Sequence, residues 1–185
     1  MDDKPETIPV ELVADRPEWA AIAESEAARL KAALGNVLVR VHHIGSTAIP
    51  GIMAKPIVDL IPVVTDIAAL DAAEQKIRKL GYSWYGEYGL EGRRFCTLTD
   101  RETGKRTVQL HCYAVGDASI PRHLAFRDYL RAHPKIAKEY EAEKIRAAAR
   151  APHDTNAYND EKNDWIKRVE RQALDWAGAT RPPAP

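Results

Sequence analysis

Asp59 is the only charged residue in the run 57–64, IVDLIPVV. A lone carboxylate in an apolar run costs several kcal/mol to bury. It must therefore be paired, neutral, or turned at a strand end toward a ligand or metal. An ion pair with Lys55 or an arginine is one solution. The residues upstream suggest another, because His42 and His43 lead into Gly45-Ser46-Thr47. That stretch offers a close-approach backbone and two hydroxyls, and backbone N–H groups in such a turn form an anion-binding concavity. Lys55 adds a mobile cation shortly before the acid. A strand, a Gly-Ser turn and a second strand bearing an acid can assemble a nucleotidyl-transfer site. The turn would grip a triphosphate and the acid would hold the Mg²⁺ that neutralises it.

Other residues offer supporting chemistry. His43 can donate to a phosphate, act as acid or base, or ligate a metal, and it can equally brace the turn through a backbone bond. His42 alternates to the other face and is given no role. Gln109 and His111 share one face of a strand by the period-2 rule. An imidazole there suits Mn²⁺, Zn²⁺ or another transition metal better than Mg²⁺, which prefers oxygen. Arg93 and Arg94 precede a strand, and the forked guanidinium of Arg94 is a candidate for phosphate, with a solvated edge charge as its competing role. Tyr158 and Lys162 share a helix face and could close over a ligand or belong to an amphipathic surface. Trp19, Trp84, Trp165 and Trp176 read as packing anchors.

The positioning elements follow from periodicity and punctuation. A short strand is expected over 8–13. A helix capped by Asp15, with Pro17 in its first turn, runs to Leu34 with Trp19, Ile22, Leu30 and Leu34 on its apolar stripe. Strands are expected over 37–41, 57–64, 82–85, 93–99 and 107–115, with 42–51 as a turn. Asp66 caps a helix through Leu80, closed by Gly81. Beyond Ser119 the chain turns helical and charged, with helices near 121–132, 134–150 and 156–177. The pattern is an α/β (α+β) fold: a mixed-sheet core over about 8–117 and a helical lobe over about 118–177, forming one domain over 8–177. Residues 1–7 are expected to be flexible and 178–185 a disordered tail.

Composition narrows the classes. The 185 residues carry 27 basic and 27 acidic side chains, so net charge is zero. A non-specific nucleic-acid binder needs a basic excess, whereas a small phosphorylated ligand needs only a few local cations. Cys96 and Cys112 show no CxxC or zinc spacing and read as small buried hydrophobes of a reducing cytosol. The start, MDDKPETIPV, has no apolar core, and no window approaches ~18 consecutive apolar residues. The chain is expected to be cytoplasmic, with no membrane partner.

The stretch HHIGSTAIPGIMAKPIVDLIPVV resembles the signature of the GrpB-like proteins (glutamate-rich protein B), a branch of the nucleotidyltransferase superfamily. Arg16-Pro17-Glu18-Trp19, Phe126-Arg127-Asp128-Tyr129-Leu130-Arg131, and Tyr158 with Lys162 extend the likeness over roughly residues 8–177. The superfamily pattern is a Gly-Ser pair, then an acid–apolar–acid strand. Gly45-Ser46 and Asp59 match it, while Ile61 stands where the second acid is expected. The resemblance implies a nucleotidyltransferase-like sheet core, with Asp59 and His43 catalytic and Gly45, Ser46, Thr47, Lys55, Arg94, Arg127, Tyr158 and Lys162 on nucleotide or phosphate. Asp59 and His111 would hold a divalent metal, Mg²⁺ or Mn²⁺. The partners would be a nucleotide and a small-molecule acceptor. Two other functions stay open. One is a non-catalytic module for a nucleotide or a coenzyme A-type ligand, since relatives occur fused to dephospho-coenzyme A kinases. The other is a metal-dependent hydrolase using His43, Asp59 and His111.

Overall fold

A computed structural model describes residues 9–180. The expected flexible start and residues 181–185 lie outside them. The described chain divides into two compact units. A sheet unit comprises Arg16–Ala48 and Ile57–Ile120, and a helical unit comprises residues 9–15, Ile49–Pro56 and residues 121–180.

The sheet unit has five strands: β1 (Leu38–Ile44), β2 (Val58–Val64), β3 (Tyr82–Trp84), β4 (Arg94–Thr99) and β5 (Arg106–Ala114). Their spatial order is β1-β2-β5-β4-β3. Only β2 and β5 run parallel, with Asp59 beside Gln109 and Leu60 beside Leu110. β2 is apolar almost throughout because it lies between two strands with both faces covered.

One sheet face carries Leu60, Val108, Leu110, Cys112 and Cys96, all 1% exposed or less. It packs on helices α1 (Glu18–Leu34), α2 (Ile67–Ala72) and α3 (Glu74–Lys79). The two cysteines are free thiols in this core, as their spacing implied. The expected helix over 66–80 is instead broken at Ala73 into α2 and α3. Asp66 does cap it, accepting the Ala69 N–H at 2.7 Å. On α1 the buried stripe is Trp19, Ala23, Glu26, Leu30 and Leu34, while Ile22 is exposed. Glu26 can replace an apolar residue there because Tyr82 Oη and Arg29 both donate to it at 2.6 Å. Asp15 does not cap α1. Its carboxylate accepts the Gly51 N–H within the helical unit.

The helical unit contains α5 (Pro134–Arg150), α6 (Thr155–Thr180) and most of α4 (Ser119–Ala132). Trp165 stacks on Tyr140 at 5.2 Å in a cluster with Ile49, Ile52, Leu130, Ala137 and Val169. Of the strand expected over 8–13, Ile8 lies outside the described residues, and only Val13 pairs, bridging Ala54. Residues 178–180, expected in the tail, continue α6, whose end closes on a bond from Thr180 Oγ1 to the Trp176 carbonyl.

Candidate functional site

The opposite sheet face carries Asp59 and the polar side chains around it. Side chains alternate along a strand and match across a pair. Asp59 therefore shares its face with Ile44 and Ile61, with Gln109, His111 and Tyr113 of β5, and with Phe95 and Thr97 of β4. Asp59 is partly exposed, its side chain at 27%. Two donors converge on its Oδ1. His111 Nε2 lies 3.2 Å away. The Gln109 amide, oriented to satisfy both its neighbours, donates to the same oxygen at 3.0 Å and accepts from Arg106 at 3.2 Å. An ionised carboxylate only accepts, so this arrangement puts the His111 proton on Nε2. The other ring nitrogen, Nδ1, then faces Arg93 Nη1 at 3.5 Å.

The Gly-Ser turn meets the other carboxylate oxygen. Gly45 has φ +71°, and a Cβ added there would lie 2.7 Å from Asp59 Oδ2. Only glycine meets both demands. The turn continues as a short 3-10 segment over Ser46–Ala48, with Ala48 N–H bonded to the Gly45 carbonyl. Asp59 thus has one oxygen gripped by β5 and the other turned to the Gly45–Ala48 turn.

His43 sits elsewhere. It pairs with Leu60, not Asp59, so its ring lies on the helix-covered face, 2.9 Å from the Thr47 hydroxyl. β1 runs through Ile44, so both histidines are in the strand and not in the turn expected over 42–51. His42, opposite Ile61, is the one on the Asp59 face. Among the described residues no group of three or more His, Cys, Asp or Glu side chains could hold a metal ion. The hydrolase trio of His43, Asp59 and His111 is not brought together. Ile61 is fully buried where a second carboxylate would stand. A single carboxylate is no cage for a resident ion among the described residues. A divalent ion arriving with a ligand would have Asp59 to hold it, and it would supply charge neutralisation.

The neighbouring arginines separate cleanly. Arg94 lies on the helix-covered face opposite Cys112, and its fork is committed to Asp71 of α2 at 2.6 and 2.7 Å. That ion pair holds its pKa above the ordinary value. Arg93, only 7% exposed, is the arginine near the site. Its guanidinium lies 5.0 Å from the Phe95 ring centroid and donates to the Glu87 and Tyr88 carbonyls. Burial lowers its pKa. Arg106, also lowered by burial, stands within the field of Asp59. Strand alternation carries the signal for choosing Arg93: Cys96 and Leu98 mark the core face of β4, which puts Arg94 on that face and Phe95 on the other.

The remaining expected residues belong to the helical unit. Arg127 Nε bonds Asp128 beside it at 2.7 Å. Tyr158 is buried, with Lys162 Nζ 4.6 Å and Lys55 Nζ 5.3 Å from its ring centroid. Burial raises the Tyr158 hydroxyl pKa, and the field of Tyr140 adds to it. No helix among the described residues is long and apolar enough to cross a membrane.

Comparison with known proteins fits this architecture. The UPF0157 protein YqkA of Bacillus subtilis is 42% identical over 167 residues, 90% of this chain; the chain spans about half the length of that relative, 48%. The crystal structure of GrpB from Enterococcus faecalis matches with TM-score 0.84 at 36% identity, covering 90% of this chain and 99% of that one. Cid1, solved with its short product ApU, matches at TM-score 0.52 and 12% identity, over 74% of this chain and 43% of its own. At that identity the likeness is one of fold, and the fold is nucleotidyltransferase-like. The GrpB protein family model matches residues 9–172. The chain belongs to the GrpB family.

Proposed function

We propose that the Asp59 face is a nucleotidyl-transfer site for a nucleoside triphosphate and a small acceptor. The observation that carries this reading is the close approach of Gly45 to the Asp59 carboxylate, where an added Cβ would lie 2.7 Å from Oδ2. A loop suited to phosphate oxygens and an acid suited to their divalent counter-ion stand within one atom's reach. His111 and Gln109 fix the carboxylate, and His43 steadies the turn through Thr47. Arg93 and Arg106 supply positive charge on or beside the face. A divalent ion bound with the nucleotide would supply Lewis-acid neutralisation of the phosphates. Transfer forms one bond, from the acceptor oxygen or nitrogen to the α-phosphorus, and breaks the bond from that phosphorus to the α,β-bridging oxygen; pyrophosphate leaves and the acceptor's proton passes to solvent.

The test is pyrophosphate release from each nucleoside triphosphate with Mg²⁺ or Mn²⁺, across a panel of small hydroxyl and amine acceptors. Release that depends on metal and acceptor, and is lost in Asp59→Asn, supports transfer. A second reading, nucleotide binding without chemistry, is favoured by the buried Ile61 in place of a second acid. It expects no release with any acceptor and nucleotide affinity that survives Asp59→Asn.

A further inference from the structure

Among the described residues, Tyr88 is the one non-glycine with a left-handed backbone, at φ +46°. A bulky side chain in that region is strained and persists only where its surroundings hold it. Here the loop between β3 and β4 is held from several sides. Arg93 Nη2 donates to the Tyr88 carbonyl at 2.7 Å and to the Glu87 carbonyl at 3.2 Å. The Glu87 carboxylate accepts the Gly92 N–H at 2.9 Å, and the Gly86 carbonyl accepts the Phe95 N–H at 2.8 Å.

This backbone sets the Tyr88 ring on Phe95, with centroids 5.1 Å apart and planes 17° from parallel. Phe95 is buried beneath it, with Tyr85 at 6.0 Å, His111 at 5.3 Å and the Arg93 guanidinium 5.0 Å from its centroid. Tyr88 remains 36% exposed, so one face of its ring is taken by Phe95 and surface is left for a second planar partner. The stack is continuous with the Asp59 site. His111 touches the Phe95 ring and bonds Asp59 Oδ1. Arg106, bonded to the Gln109 amide, lies within the fields of Tyr85, Tyr88 and Asp59 alike. By register Phe95 stands across β5 from Asp59 and further along the strands, about 12 Å away by strand geometry. A ribose and its phosphates can bridge that separation.

We propose that the outer face of Tyr88 is the platform on which the base of the bound nucleotide stacks, in the order base, Tyr88, Phe95. The inference deepens the nucleotidyl-transfer reading and rests on it for the phosphate end of the ligand. Every base has a π face, so such a platform separates nucleotides from base-free polyphosphates and not one base from another.

Equilibrium dialysis with Mg²⁺ tests it, comparing each common ribonucleoside triphosphate with ribose 5-triphosphate, which has the same sugar and phosphates and no base. The wild-type protein should bind the nucleotides at least about tenfold more tightly, the contribution of one stacked base. Tyr88→Gly suits the left-handed backbone and removes only the ring. It should bring the nucleotides down to the affinity of ribose 5-triphosphate and leave the latter unchanged. Tyr88→Phe should keep the preference, as should Leu90→Ala, which trims the exposed side chain nearby in the same loop. Equal binding of both ligand types by the wild type would overturn the stack while leaving the phosphate site standing. Binding of neither would overturn both readings. A base preference that persists in Tyr88→Gly would put the base elsewhere and overturn the inference.

Discussion

On the sheet face a carboxylate sits among donors: Asp59 takes His111 and Gln109, with Arg106 behind the amide and Arg93 behind the imidazole. In the helical unit a lysine is buried on a backbone carbonyl, Lys144 on that of Met53. Lys144, Lys162 and Lys55 stand over Tyr140 and Tyr158. The first arrangement satisfies its own charges and needs no ligand to hold its geometry. The second carries the burial cost of the Lys144 ammonium. A network of mixed sign preorganises groups, whereas a buried ammonium is a charge that its setting disfavours.

Substitutions in the two regions should therefore behave differently. The largest expected effect is on turnover: Asp59→Asn should lower metal-dependent pyrophosphate release by at least about 100-fold, with the fold retained by circular dichroism. Next, Lys144→Met should stabilise the ligand-free protein. An unfolded lysine keeps its ordinary value of 10.5, while folding depresses Lys144 to about 7. Between those pH values the unfolded chain holds a proton that the folded chain lacks, so wild-type stability climbs as pH rises across that window. Denaturant titrations at pH 7 and 10 should show this slope in the wild type and its loss in Lys144→Met. The gain in the variant at pH 7 should be on the order of 3 kcal/mol.

Gly45→Ala on the sheet face should cost about 1–3 kcal/mol, because it combines a left-handed backbone with a methyl driven against Asp59 Oδ2. A variant as stable as wild type would mean that the turn and the acid are not in contact. The smallest effects separate the adjacent arginines. Arg94→Ala removes a pair whose acid, Asp71, is 43% exposed, and should cost under about 1 kcal/mol without changing nucleotide binding. Arg93→Ala frees the carbonyls of the Glu87–Tyr88 loop and disturbs His111; it should cost about 1–3 kcal/mol and weaken nucleotide binding.

The sequence was most legible where local pattern and global role coincide. The apolar run around Asp59, the Gly-Ser turn and the two buried cysteines all follow from burial and alternation, and the mixed sheet with its helical C-terminal part emerged as expected. Legibility failed where the outcome depended on which face a residue takes. His43 looks like the site histidine because it adjoins the turn, but antiparallel pairing with Leu60 turns it to the helix-covered face. Arg94 and Arg93 cannot be told apart without a register, and pairing opposite Cys112 puts Arg94 on the helix-covered face. Lys144 carried no signal at all: in a charged amphipathic helix nothing local marks one lysine as buried, and only its bond to the Met53 carbonyl and the neighbouring Lys162 single it out. Asp15 likewise had the type and place of a cap, and tertiary structure gave it to Gly51 instead.

The most direct test of the central claim, that Asp59 and the Gly45 turn together take a metal-borne nucleotide, is the melting temperature with nucleoside triphosphates in the presence and absence of Mg²⁺ or Mn²⁺. A ligand that binds only the native state raises it by mass action. The account predicts a rise with at least one nucleotide that requires the metal and disappears in Asp59→Ala. No rise with any nucleotide under either metal, or an equal rise in Asp59→Ala, would contradict it.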